Sequence, residues 1–166
     1  MDIRSISLPQ EITGNIKAKN TPVCLTGAFG AGASFIVSAI SKEMGRPAVV
    51  ITENAKEARR VFKDISVFEK NAMLFPPKDI VFYSADVYSR EIDAQRLLVT
   101  ESLLKGEKRT IVMSVDAILS RFTPKEEFEK FVFEIKSGDI VPPEEAVKKL
   151  IDMGYERCDM AEGKGM

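Results

Sequence analysis

Four short, nearly uninterrupted apolar runs alternate with amphipathic helical patterns, and that alternation constrains the fold more than anything else in the sequence. The runs are "PVCLTG" (Pro22–Gly27), "AVVIT" (Ala48–Thr52), "NAMLFP" (Asn71–Pro76) and "RTIVMSV" (Arg109–Val115). A strand buried on one face alternates apolar and polar residues, whereas a strand buried on both faces reads as a continuous apolar run. The four runs therefore predict a parallel sheet with helices on both sides.

The intervening segments have helical spacing. Ile6, Leu8, Ile12 and Ile16 suggest an opening helix between Ser5 and Asn20. Ile36, Val37, Ile40 and Met44 share one face of a helix over Ala33–Met44, stopped by Gly45-Arg46-Pro47. A third helix runs from an Asn54 cap to Phe68, with Ala58, Val61, Phe62, Ile65 and Phe68 on one side. A long helix over Ser89–Lys105 carries Leu97, Leu98, Val99, Leu103 and Leu104, and Gly106 closes it. "DAILSRF" forms a short helix after the fourth run.

The pattern breaks at Thr123-Pro124, which divides the chain into an α/β domain over residues 1–123 and a partial α+β segment over 124–166. In the second part "KFVFEIK" alternates with period two like a strand, and a helix is expected near Pro143–Met153. Charge shifts at the same place. The first part holds 17 basic and 14 acidic residues and the second 7 and 11. That asymmetry is mild and selects no class of partner.

With 45% hydrophobic and 30% charged residues, the chain has the composition of a folded domain. Histidine is absent, which removes the commonest general base, the commonest metal ligand and every Ser-His or Cys-His catalytic arrangement. Cys24 and Cys158 form no C-x-x-C pair, and Cys24 lies in an apolar run where a free cysteine acts as a small core residue. "MDIRSISLPQ" lacks the apolar stretch of a signal peptide and no run reaches a membrane-spanning length, so a cytoplasmic location is expected.

One segment carries a candidate site. "GAFGAGAS" (Gly27–Ser34) follows an apolar run and opens a helix, the setting of the phosphate loop G-x-x-x-x-G-K-[ST]. Gly27, Gly32 and Ser34 are in register, with Gly30 between them. Ala33 stands where the lysine belongs. A charge-assisted hydrogen bond contributes roughly 1.5–3 kcal/mol, so its loss weakens phosphate binding about one to two orders of magnitude. Asp116, after the fourth run, offers itself as a Walker-B aspartate. Ser114 explains it more simply as a helix cap, with Asp116 favourable in the first turn.

The stretch from Leu74 to Pro124 adds a family signal. Its Phe75-Pro76, Asp79, Tyr83 and Arg96-Leu97, followed by "TIVMSVDAILSRFTP", resemble the N-terminal region of bacterial transcription-repair coupling factors. "LIDMGYERCDM" is similar to that family's next segment, with Gly154-Tyr155 and Arg157 matching a G-Y-x-R element. The resemblance implies a RecA-like first domain related to the UvrB excision-repair subunit, with a degenerate P-loop at Gly27, Gly30, Gly32, Ala33 and Ser34. It implies the start of a UvrA-interacting second domain, and partners in UvrA and in other domains of the same polypeptide. ATP and Mg²⁺ are expected only in motor domains outside this chain, and contacts to RNA polymerase and DNA likewise through regions absent here.

Three readings remain open on the sequence. The first is a non-catalytic interaction and regulatory module in transcription-coupled nucleotide excision repair. The second is an active P-loop ATPase or small-molecule kinase with an atypical loop. The third is an α/β domain whose glycines merely form a tight turn. A dimer through an unpaired edge at "KFVFEIK" is expected if the second domain is truncated.

Overall fold

A computed structural model describes residues 7–78 and 90–155. The expectations placed on Asp79, Tyr83, Arg157 and Cys158 lie outside the described residues. The elements are α1 (Ser7–Lys17), α2 (Ala31–Met44), β1 (Ala48–Thr52), α3 (Ala55–Phe68), β2 (Met73–Phe75), α4 (Arg90–Leu104), β3 (Thr110–Ser114), α5 (Val115–Leu119), α6 (Lys125–Lys130) and α7 (Pro143–Asp152). The chain divides into two compact units, one reaching Arg121 and the other starting at Phe122.

In the first unit the sheet is parallel, in the order β1-β3-β2. β3 is the middle strand and is buried along its whole length, which is why "TIVMS" has no polar alternation. Its side chains feed two cores. Val112 packs with Ala58 and Ile65 of α3, joined by Val37, Val50 and Leu74. Ile111 and Met113 point the other way, onto Phe75, Val99 of α4 and Ala117 of α5. The α/β class with a parallel sheet between helices is thus the observed architecture.

The helix boundaries follow local chemistry. The Asn54 side chain accepts the Glu57 N–H at 2.9 Å and starts α3. Ser114 does the same for α5 through the Ala117 N–H. α2 stops at Gly45, which adopts a left-handed φ of 59° and donates its N–H to Ser41 O. Asn54→Ala is expected to cost about 1 kcal/mol, read as a lowered midpoint in urea unfolding.

Polar contacts, the innermost of them buried, lock these elements together. The Glu69 carboxylate, 6% exposed, accepts the Thr110 N–H at 2.9 Å and the Thr110 hydroxyl at 2.7 Å, tying the end of α3 to the first residue of β3. Thr13 of α1 donates to Glu43 of α2 at 2.7 Å, and the Lys42 ammonium donates to Phe68 O at 2.8 Å.

Two expected strands are not formed. "PVCLTG" has no strand pairing, and Val23, Cys24 and Leu25 are exposed, so Cys24 is not a core residue. An apolar run becomes a strand only where a neighbour takes its N–H and C=O groups, and no described strand lies beside this one. The sheet carries a matching gap. Val49 and Ile51 sit in register with the buried Ile111 and Met113, yet are 50% and 53% exposed. Among the described residues no helix covers one side of β1, contrary to the two-sided cover expected.

In the second unit "KFVFEIK" is not a strand either. Its Lys130 ends α6, and the following residues lie outside helix and strand. Pro124 and the acidic Glu126 and Glu127 favour a helix start instead. α7 forms as expected, with Pro142 at its cap and Pro143 in its first turn. Val147 and Ile151 on α7 remain 52% and 60% exposed, and neither α6 nor α7 has a buried residue.

Candidate functional site: the glycine-rich loop

The structure places Gly27, Gly30, Gly32, Ala33 and Ser34 in one loop-to-helix turn. Gly27 has φ 80° and Gly30 has φ 53°, conformations that a side chain disfavours. Gly30 caps α2 with its backbone alone, and no side chain accepts from the first turn. The Gly32 N–H is spent on Phe29 O at 3.1 Å, and the Ser34 N–H bonds Gly30 O at 3.3 Å. The three glycines are exposed, whereas Ser34 is only 3% exposed. The arrangement thus sets a helix N-terminus after the glycines but takes the hydroxyl-bearing Ser34 inside.

The expected strand leading into the loop is missing, so the loop is not carried on the end of a sheet strand. α2 rests on α1 and α3. No residue of the first turn supplies the charge that Ala33 lacks.

Sequence reasoning missed Arg60. This α3 side chain reaches the loop, its Nη1 lying 4.0 Å from where a Cβ on Gly30 would be. It is committed elsewhere. Its Nε and Nη2 bond the Glu57 carboxylate, and Nη1 bonds Asp64 at 3.1 Å. The bond to Arg60 holds the Glu57 carboxyl below its usual range, and Arg60 itself is raised, chiefly by Glu57. A guanidinium facing two carboxylates offers little to a phosphate. The i, i+3 and i+4 spacing of Glu57, Arg60 and Asp64 was the available signal, but nothing in sequence brings α3 to the loop.

The lowered Glu57 contributes stability that is fully present above its unfolded value and is lost as pH falls through the lower folded value. Thermal unfolding of Glu57→Gln is expected to show a smaller acid decline than the parent. Glu107, lowered by the Ser102 hydroxyl and then by Arg109, behaves the same way.

Asp116 is exposed in the first turn of α5, where Ser114 provides the cap. Among the described residues no group of three or more acidic or cysteine side chains is arranged to hold a metal ion.

Some of the residues that carry the family resemblance, Phe75-Pro76 and Arg96, meet at a different place. Arg96 of α4 is 6% exposed. Its guanidinium lies 4.1 Å over the Phe75 ring, donates to Pro76 O at 2.6 Å and to Ser120 Oγ at 2.7 Å. Ser120 in turn donates to Ala117 O at 2.6 Å. Burial pushes the Arg96 guanidinium down from its ordinary value, opposed by the charge of Asp93. Phe75-Pro76, Arg96 and the Ser120 turn, far apart in sequence, form one knot that ties β2 to α4 and α5.

Known proteins agree. No protein-family profile matches the chain. It is 31% identical to the transcription-repair-coupling factor of Bacillus subtilis over 143 residues, covering 85% of this chain and 12% of that protein. It is 28% identical to UvrABC system protein B of Methanosarcina acetivorans over 166 residues, and 27% identical to that of Staphylococcus aureus, each covering 91% of this chain and 25% of the relative. The chain therefore spans a quarter or less of the length of these relatives. It is a UvrB-like α/β module, homologous to transcription-repair-coupling factor and to UvrABC system protein B.

Proposed function

We propose that this chain acts in nucleotide excision repair as a non-catalytic interaction module of a transcription-repair coupling factor, recruiting UvrA and restraining the motor that its longer relatives carry. The knot around Arg96, which joins Phe75-Pro76, Arg96 and the turn at Ser120 within the stretch that resembles the coupling factors, is the observation that carries the reading. The loop supports the non-catalytic part: Ala33 replaces the lysine, Arg60 is neutralised, and Ser34 is buried. ATP and Mg²⁺ act in other domains under this reading, as do contacts to RNA polymerase and DNA.

The test is a deletion in a longer homologue that carries this region. Loss of UvrA capture together with raised ATPase activity supports the proposal, and unchanged values for both refute it. A companion variant addresses the loop. Ala33→Lys is expected to strengthen binding of a fluorescent ATP analogue by about tenfold to a hundredfold, the value of one charge-assisted contact. Anisotropy titration checks this.

A sheet-edge dimer cannot use "KFVFEIK", which is not a strand. Among the described residues β1 and β2 are the edge strands, and β1 also carries the uncovered Val49 and Ile51. Light scattering of Val49→Lys, expected to be monomeric, checks whether pairing of copies uses that edge.

A further inference from the structure

We infer that the cleft between α1, the C-terminal end of α2 and the start of β1 is a docking site for an acidic peptide segment bearing an aliphatic anchor. The cleft holds about 210 Å³ and is lined by Ile16, Val37, Ile40, Met44 and Pro47, with Arg46 at its edge. That volume is below the range of whole small-molecule sites and suits one or two aliphatic side chains. The opening is on the surface of the first unit, away from the glycine-rich loop at the opposite end of α2.

Charge identifies the kind of partner. Arg46 is exposed, and the Lys108 ammonium lies 3.8 Å from a Cβ position on the adjoining Gly45. Neither has an ion-pair partner among the described residues, whereas nearby Lys17 is held by Glu43. Two free cations beside an apolar slot match a segment in which Asp or Glu flanks Leu, Ile or Met. Complementary charge of this kind sets orientation and speeds encounter. The cleft walls carry no aromatic ring on which a nucleobase stacks, which disfavours single-stranded nucleic acid.

The side chains are arranged for this by local structure. Gly45 and Pro47 turn the chain sharply from α2 into β1, so Arg46 projects at the turn and Met44 faces the slot. Thr13 bonded to Glu43 fixes α1 against α2, which keeps the Ile16 wall in place.

The test is selection of a displayed random dodecapeptide library on the intact 166-residue protein, counter-selected against Arg46→Glu. Enriched peptides are expected to place Asp or Glu next to an aliphatic residue. Arg46→Glu and Lys108→Glu are each expected to weaken the synthesised peptides about fivefold, the size of one exposed charge pair reversed. Met44→Gln is expected to weaken them as well, and all three variants should keep the parent unfolding temperature. Amide shifts on titration should cluster at Ile16, Ile40, Met44 and Arg46. No enrichment over the counter-selection, enrichment of basic sequences, or parent-like affinity in all three variants overturns the inference. Binding of a single-stranded oligonucleotide at the same residues, without peptide enrichment, overturns it too.

Discussion

A Phe75→Ala protein is expected to lose roughly 3–5 kcal/mol of stability, the usual cost of deleting a buried aromatic ring. Phe75 is 1% exposed and packs against Val99, Ile111, Met113 and Ala117. Its ring is also the surface on which the Arg96 guanidinium rests at 4.1 Å. A desolvated cation–π contact contributes about 2 kcal/mol of its own, so the deletion empties a core site and strips a buried charge of its cover. Domains of this size are stable by only about 5–15 kcal/mol, so the effect is a large share of the total. Urea unfolding measures it. A loss below 1 kcal/mol would show that the knot between β2, α4 and α5 is not a principal support of the fold. Arg96→Lys sharpens the assignment, because lysine keeps the charge but cannot bond Pro76 O and Ser120 Oγ from one planar group.

Glu69→Ala is expected to cost about 3 kcal/mol, because it leaves the Thr110 N–H buried without an acceptor. Thr110 is 0% exposed and begins the central strand, so water cannot replace the carboxylate without opening the sheet. Glu69→Gln separates this role from simple packing. The amide oxygen still accepts the Thr110 N–H, while the Thr110 hydroxyl keeps Ser41 Oγ at 3.3 Å as an alternative. The glutamine variant is therefore expected to lose about 1 kcal/mol, a single net hydrogen bond. Equal losses in the two variants would mean that volume, not hydrogen bonding, matters at position 69. Hydrogen exchange at the Thr110 amide gives the local readout, with protection lost in alanine and kept in glutamine.

The elements with dense local signals were legible in the sequence. α3 could be read from the Asn54 cap to Phe68 because cap chemistry and spacing agreed, and β1 and β3 from unbroken apolar runs. What failed was everything that depends on a neighbour. "PVCLTG" has the composition of a buried strand, yet strand formation needs a partner's hydrogen bonds, and sequence shows apolar character without showing who supplies them. "KFVFEIK" alternates correctly, but Pro124 and the acids after it favour a helix running into its first residue. Arg96 illustrates the same limit from the other side. A charged residue on an amphipathic helix reads as surface, and only the fold reveals that Phe75, Pro76 and Ser120 surround it.

The loop was partly legible. Ala33 announced a missing charge in the sequence itself. That Arg60 approaches Gly30 already bound to Glu57 and Asp64, and that Ser34 is turned inside, are facts of helix packing. Both bear on whether any cation or hydroxyl replaces what the loop lacks.

Calorimetric titration of the protein with magnesium-ATP tests the central claim most directly. No saturable heat in the micromolar range and no ATP turnover are expected. Micromolar binding, with turnover abolished by Ser34→Ala, would contradict it and restore the glycine-rich loop as an active nucleotide site.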